Sequence, residues 1–222
     1  TKWNDPSIKA NNLKIALPNK SIKVFYRSGS SGTNDNISNY LAQNLPGQGW
    51  VKSSTWSTAI NGALPAGTTS PVGTGLGTSA LVSGTLEDTL NGFGYFDLSD
   101  AVSAKVSIAS LKNEFGNFVA PTAKAGATFL AGQSAVLDTT KPYLDGTLAI
   151  DFKKQIKGAY QLTIVTYGLA PKDGTTSKAT AVEGWFKNVV SSCLPSNAAK
   201  LGYAPLTGSL LTLAKAQIEK VD

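Results

Sequence analysis

The sequence has 222 residues, of which 41% are hydrophobic and 15% charged, so it has enough apolar side chains for a folded core and too little charge for a disordered chain. The formal charge is +6 at pH 7, but the lysines are spread out and form no basic stripe with aromatic residues, which argues against nucleic acid as a partner. Histidine is absent and Cys193 is the only cysteine, which excludes histidine-based triads, histidine metal sites and an intramolecular disulfide.

Strands and helices are predicted to alternate along the chain, which favours an α/β fold. Asp5 and Pro6 are typical of the cap and first turn of a short helix. Strands are predicted at residues 22–26, 94–98, 106–111 and 160–169, the last being the longest β-rich run and the candidate for a buried or crossing strand. Helices are predicted across residues 37–45 and at 78–90, 123–137, 180–193, 196–200 and 208–221. Residues 138–156 are expected to be polar and irregular, and the Cys193 thiol is expected to be a small buried hydrophobe.

The stretch at residues 27–34, with the sequence RSGSSGTN, lies between the first predicted strand and the helix that follows it. Glycine and serine let backbone N–H groups converge there, and the helix adds unpaired N–H donors and the positive end of its dipole. Arg27 has a planar, charged fork suited to two oxygens, and Ser28, Ser31 and Thr33 add hydroxyl donors. The pattern predicts a site for a tetrahedral oxyanion.

Other interpretations of these residues stay open at this point. Thr33 is also typical of an ordinary N-cap, and the loop lacks the lysine that a Walker phosphate loop needs after its second glycine. Ser31 as a nucleophile would need a base, and the only nearby carboxylate, Asp35, is better placed as a stabilising charge in the first turn of the helix. Residues 73–77, GTGLG, match the dinucleotide fingerprint poorly, so no nucleotide cofactor is expected.

Several segments resemble, in the same order, the substrate-binding proteins of phosphate-specific ABC transporters. The opening TKWNDP is similar to the start of that family's second lobe, and residues 26–33, YRSGSSGT, are similar to its phosphate loop. Further similar segments are PVGTG at 71–75, GFGYF at 92–96, LKNEFGNFVAP at 111–121 and LGYAPL at 201–206. The resemblance covers essentially the whole chain, and the shared order of the segments makes chance a poor explanation.

The resemblance implies a type II periplasmic-binding-protein fold, in which two α/β lobes close on a dehydrated oxyanion. Residues 1–158 are expected to form most of the second lobe with the anion loop, and residues 159–222 to supply the crossing strand and the C-terminal helices that complete the first lobe. The family carries about a hundred residues before its TKWNDP segment, roughly the size of one lobe. We therefore expect either a fragment that lacks these residues or a relative that has abandoned the complete cleft.

The resemblance also implies which residues hold the ligand. They are Arg27, Ser31, Gly32 and Thr33, with Ser28 and Ser30 as further candidates. Arg27 is implied to grip two phosphate oxygens, and the others to donate from hydroxyl or backbone groups. The chain departs from the family pattern at Gly29, where the family has an aspartate that orients and partly neutralises the arginine, so a bound anion is expected to meet a more positive and less fixed Arg27. No catalytic residue, metal or cofactor is expected.

The function implied by the resemblance is binding of inorganic phosphate for an ABC permease, without covalent chemistry. The expected partners are phosphate and the membrane subunits of the permease, and the expected location is extracytoplasmic: periplasmic, secreted or attached to the cell surface. Because one lobe supplies only one set of contacts, this chain alone is expected to bind phosphate more weakly than micromolar. The alternative is a cell-surface interaction or adhesion module that keeps the fold with little or no phosphate binding, which Gly29 and the Thr- and Gly-rich loop around Gly67 motivate.

Overall fold

Strands and helices alternate along the chain in the computed structural model, which describes residues 1–137, 140, 144–170 and 177–221. The predicted α/β class is confirmed. The chain divides into two units, Thr1–Ser107 and Ile108–Asp222, each with its own elements and its own buried side chains. The lobe boundary expected after residue 158 stays a prediction.

The first unit combines a parallel sheet with helices. Its strands are β1 (Lys23–Arg27), β2 (Thr74–Leu76) and β3 (Gly92–Gly94). Its helices are α1 (Pro6–Lys9), α2 (Gly32–Asn44), α3 (Trp56–Ile60), α4 (Ser79–Glu87) and α5 (Leu98–Ser103), with a 3₁₀ turn at Asn61–Ala63. The elements β1, α2 and α4 therefore form where the apolar spacing predicts them, and β3 lies two residues before its predicted start.

The central strand of this sheet is β1, with β2 and β3 parallel to it on either side. Arg27 lies beside Leu76 of β2, and Lys23 lies beside Gly92 of β3. After β1 the chain forms β2 on one side of β1 and then crosses over to form β3 on the other side. In open α/β sheets such a change of side leaves a crevice at the carboxyl edge. The segment that follows Arg27 starts at that edge.

Glycine in β3 lets helix α4 pack closely against the sheet. A Cβ atom added at Gly94 would lie 2.9 Å from Leu86 Cδ1 and 3.1 Å from Val82 Cγ1 of α4. Val82 is completely buried, and Phe25 on β1 is also part of the core. A larger residue at Gly94 would therefore push α4 away from the sheet.

The capped helix predicted at the start of the chain is confirmed. Asp5 is the N-cap of α1, and one of its carboxylate oxygens accepts hydrogen bonds from the Ser7 backbone N–H, at 3.0 Å, and from the Ser7 hydroxyl, at 2.6 Å. These two bonds, the hydroxyl first, hold the pKa of Asp5 below its usual value. Pro6 follows as the first residue of α1, where its missing N–H costs no hydrogen bond.

The second unit is built from short antiparallel strand pairs and helices. The strands are β4 (Leu111–Lys112), β5 (Phe118–Val119), β6 (Ser134–Ala135) and β7 (Leu148–Ala149), paired β4 with β5 and β6 with β7. The helices are α6 (Ala123–Ala131), α7 (Ser177–Asn188), α8 (Leu194–Asn197) and α9 (Gly208–Ile218), with π-helical residues Val189–Cys193 and a 3₁₀ turn at Ala198–Leu201. Its core includes the stacked rings of Phe129 and Phe152, both fully buried, with centroids 5.9 Å apart.

The strand predicted at residues 160–169 is wrong. The Thr163 N–H donates to Gln161 O at 2.7 Å and its hydroxyl donates to Tyr160 O at 2.6 Å, which closes a local turn at the start of the run. No segment that the structure describes forms a ladder with these residues. A strand needs a partner for its backbone groups, and β propensity alone does not supply one.

The strand predicted at residues 106–111 is wrong except at its end, since β4 begins only at Leu111. The Val106 N–H donates to Ala101 O at 3.3 Å, so the chain is still closing α5 at that point, and Ile108 is 45% exposed. The helix predicted at residues 123–137 ends at Ala131, because the segment after it turns to form β6.

The thiol of Cys193 is exposed, so its predicted burial is also wrong. Cys193 ends the π-helical segment, in which the buried side chain is that of Val190. Of the stretch expected to be irregular, residues 138, 139 and 141–143 lie outside the described residues. The described remainder contains β7, which pairs with β6 and corrects that expectation.

Candidate functional site

The ligand residues predicted from the sequence all lie in one strand, loop and helix start. Arg27 is the last residue of β1, and helix α2 begins at Gly32. Ser28 and Ser30 are exposed at the surface of the loop, whereas Arg27 is part-buried. The structure thus places these residues together at the carboxyl edge of the sheet, where parallel α/β folds place their ligands.

Helix α2 begins with Ser31 as its N-cap. The backbone of Ser31 is extended, with φ −155° and ψ 137°, and its Oγ accepts the Thr33 N–H at 3.1 Å. The interpretation of Thr33 as the N-cap is therefore wrong. The Ser31 N–H donates to Ser54 O at 3.0 Å, which attaches the loop to the segment before α3.

One exposed N–H group at this helix start, that of Gly32, is free to bind a ligand. Among the residues that the structure describes, no acceptor meets the N–H of Gly32. Gly32 is exposed, and its backbone N–H lies at the positive end of the dipole of a 13-residue helix. An unpaired donor in such a position favours a negatively charged ligand.

Arg27 is the only arginine of the sequence. Its Nη1 donates to the Ser79 hydroxyl at 2.8 Å, and its Nε is buried without a hydrogen-bond partner among the described residues. Ser79 is the first residue of α4, which follows β2. Sequence reasoning missed Ser79, although the run of small residues between β2 and α4 repeats the pattern found between β1 and α2.

A carboxylate near Arg27 comes from the third strand. Asp97 follows β3 and is the N-cap residue of α5, to which its side chain makes no capping hydrogen bond. Burial, and next the charge of Asp100, raise the pKa of Asp97 above its usual value, while attraction to Arg27 opposes that rise. The loop after Arg27 has Gly29 where the resemblance leads one to expect an aspartate. Asp97 is instead a carboxylate that interacts electrostatically with Arg27.

Aromatic rings pack beside the loop around Trp56, which is 7% exposed. The centroid of its ring system lies 5.0 Å from that of Tyr95, 5.7 Å from that of Trp50 and 6.0 Å from that of Tyr26. The Tyr95 hydroxyl in turn accepts the Arg27 N–H at 3.3 Å. Trp56 is therefore placed to report changes around the loop by its fluorescence.

Asp35 lies in the first turn of α2, as its interpretation as a stabilising charge requires. Its carboxylate pairs with the Lys52 ammonium at 3.4 Å.

Within the described ranges, histidine, cysteine and acidic side chains form no group of three or more that would suit a metal ion. None of the helices described there has the length and apolar character needed to cross a membrane.

The family model of the PBP superfamily domain matches residues 1–192. The chain therefore belongs to the PBP superfamily, and its α/β architecture is that of a periplasmic-binding-protein fold. The resemblance to phosphate-binding members, seen first in the sequence, is confirmed by relatives of that name.

Three of these relatives show the range of identity and coverage. The phosphate-binding protein PstS of Xylella fastidiosa is 30% identical over 188 residues, which are 81% of this chain and 46% of the relative. The protein of the same name from Haemophilus influenzae is 27% identical over 222 residues, with coverages of 97% and 60%. The phosphate-binding protein PstS 2 of Mycobacterium tuberculosis is 32% identical over 190 residues, with coverages of 81% and 46%. The chain spans about half the length of the curated relatives it matches.

Proposed function

We propose that this chain binds inorganic phosphate as part of the solute-binding component of a phosphate ABC importer, outside the cytoplasm and without covalent chemistry. The observation that carries the proposal is the junction of β1 and α2, where the only arginine of the sequence stands beside the free, exposed Gly32 N–H of a helix start. The names of the relatives support phosphate as the anion.

The chemistry of binding follows from the donors at this junction. The Arg27 guanidinium offers a charged fork to two phosphate oxygens, and the Gly32 N–H offers a backbone donor. The N–H groups of Ser31 and Thr33 already donate within the protein, so these residues take part through their hydroxyls. The hydroxyls of Ser28 and Ser30 are further donors at the rim, and that of Ser30 lies 3.1 Å from the Ser54 hydroxyl.

A binding function accounts for this junction better than an ester hydrolase does. Ser31 Oγ is engaged as the helix cap, and Asp35, the carboxylate nearest in sequence, is paired with Lys52. Histidine is absent from the sequence, so no imidazole is there to take the hydroxyl proton of Ser31. The permease partner and the extracytoplasmic location belong to the same proposal, because a solute-binding protein delivers its ligand to membrane subunits from outside.

Isothermal titration with phosphate, and then with sulfate, tests the proposal on this chain and on the protein at its natural full length. We expect Arg27→Ala to lower the phosphate affinity at least about 100-fold, because it removes charge-assisted hydrogen bonds to the anion. Lys23→Ala is the matched control, since it removes one positive charge from the opposite end of the same strand.

Equal losses of phosphate affinity in Arg27→Ala and Lys23→Ala would show a general charge effect and contradict a site at Arg27. Micromolar or tighter binding by this chain alone would overturn the expectation that a second set of contacts is needed. If no form of the protein binds phosphate, the alternative of a surface interaction module replaces the proposal.

A further inference from the structure

Asn34, the third residue of α2, has a side chain that lies entirely inside the first unit. Its exposed fraction is 0%, and it is one of the largest fully buried side chains described. A buried amide is costly unless its polar atoms find partners. Every polar atom of this amide has one, and all of its partners belong to the candidate site or to the segments that support it.

The amide nitrogen of Asn34 lies within hydrogen-bond distance of three carbonyl oxygens. It is 3.0 Å from Arg27 O, 3.1 Å from Gly29 O and 3.1 Å from Ser54 O. The first two oxygens lie at the start of the anion loop, and Ser54 also receives the Ser31 N–H at the end of that loop. One side chain thus connects both ends of the loop to a single point.

The amide oxygen of Asn34 connects the loop to the third strand. It accepts the Tyr95 hydroxyl at 2.6 Å, and the same hydroxyl accepts the Arg27 N–H at 3.3 Å. Burial raises the pKa of the Tyr95 phenol above its ordinary value, so the phenol keeps the proton that it donates. The N–H and the C=O of Arg27 are both held by this pair of side chains.

We propose that Asn34 is a positioning residue for the anion site: its amide fixes the backbone of Arg27 and Gly29 and so sets where the guanidinium and the loop donors point. The inference rests on the proposed function and adds to it a residue that does not touch the ligand. Asparagine suits the role because one planar group supplies two donors and an acceptor, which serine, threonine and ionised aspartate do not.

Asn34→Asp tests the role through pH. At pH 8 the introduced carboxylate has no proton to donate to the three carbonyls, and we expect phosphate affinity ~10- to 100-fold below that of the unaltered protein. At pH 5 a carboxyl group buried among carbonyl oxygens regains its proton and one donor, so we expect the deficit to shrink toward ~3-fold. Phosphate itself titrates over this range, so the ratio of variant to unaltered protein is compared at each pH.

The charged and titratable residues that contact the Asn34 side chain are Tyr95, after β3, and Arg27, at the end of β1. Asp35, the next residue of α2, is paired with Lys52. Asn34→Leu keeps the volume but has no proton to regain, so its deficit is expected at both pH values. Asn39→Asp is the matched control: it makes the same change on α2, where the side chain accepts a hydrogen bond from Gln43 at 3.0 Å. We expect it to bind within ~2-fold of the unaltered protein at both pH values.

Amide hydrogen exchange of residues 27–32 is measured on the same samples without phosphate. We expect Asn34→Asp to speed exchange there at pH 8, relative to Asn39→Asp, and to restore it at pH 5. If the unaltered protein does not bind phosphate but this pattern appears, the proposed function fails and only the part of the inference by which Asn34 holds the loop backbone is supported. Unchanged exchange at pH 8 would overturn the positioning role. So would, in a protein that binds phosphate, a deficit of the Asn34→Asp variant that is absent or equal at both pH values.

Discussion

Two neighbouring junctions of the first unit have the same plan and different chemistry. After β1, a loop of small residues leads into α2, and after β2, a shorter loop leads into α4. Each helix has a hydroxyl residue as its N-cap: Ser31 accepts the Thr33 N–H, and Thr78 accepts the Leu81 N–H. The first junction differs in having Arg27 before the loop and the buried amide of Asn34 beneath it.

The difference shows what turns a common junction into a candidate site. A helix start after a strand supplies donors and a partial positive charge wherever it occurs. A full charge and an internal polar anchor give those donors a ligand preference and a defined geometry. The second junction contributes in another way, since its Ser79 hydroxyl accepts a hydrogen bond from Arg27.

Replacing the two caps separates the roles of the junctions and has the largest expected effect among the changes that compare them. Ser31→Ala and Thr78→Ala are each expected to lower the free energy of unfolding by ~1 kcal/mol in urea titrations, because each removes an N-cap hydrogen bond. Only Ser31→Ala is expected to weaken phosphate binding, by ~10-fold in isothermal titration, because only the Ser31 hydroxyl is among the donors that we propose for phosphate. Equal losses of affinity would show that the cap acts through stability alone.

Ser79→Ala measures how much the second junction supports the first. Without the hydroxyl that accepts from Nη1, Arg27 is held less firmly, and we expect phosphate affinity to fall ~3-fold. Ser83→Ala is the control on the same helix, because the Ser83 hydroxyl donates to Ala80 O and not to Arg27. If phosphate affinity falls as much in Ser83→Ala as in Ser79→Ala, the effect arises from α4 as a whole and not from the contact with Arg27.

Asp97→Asn has the smallest expected effect on phosphate affinity, and the change is an increase, opposite to that of the other variants. Removing a carboxylate that attracts Arg27 is expected to tighten phosphate binding ~2-fold, with the gain disappearing in ~0.5 M salt. An unchanged or weaker affinity at low salt would show that Asp97 does not compete with the anion.

The same variant tests the sign of the pH dependence. Because the folded protein keeps the proton of Asp97 to higher pH than the unfolded chain does, ionisation of Asp97 costs stability at pH 7. The cost vanishes below the ordinary pKa of aspartate, about 3.9. Asp97→Asn is therefore expected to be more stable than the unaltered protein at pH 7 and equal to it near pH 3, as measured by urea unfolding.

The local parts of the candidate site could be predicted because their causes are local. Alternating apolar residues give β1, and glycine, serine and the apolar spacing after them give a loop followed by α2. The partners of that loop could not be predicted in the same way. Ser79, Tyr95 and Asp97 follow the loop by 45 or more positions and reach it only because β2 and β3 pair with β1.

The run at residues 160–169 shows the opposite case, a strong local pattern that the structure does not use. Its alternation is clearer than that of β1, yet its first residues close a turn and no described segment pairs with it. Whether a β-rich run becomes a strand depends on a second segment, and sequence periodicity contains no information on that partner.

By itself the sequence determined the α/β class, the strand, loop and helix that hold Arg27, and the family resemblance, because each follows from neighbouring residues. Only the tertiary structure decided that Asn34 is an internal anchor rather than an ordinary helix residue. The reason is that its hydrogen bonds run to Ser54 and Tyr95, at separations of 20 and 61 residues, as well as to the loop. Which polar side chain ends up buried and satisfied is a property of the packed molecule.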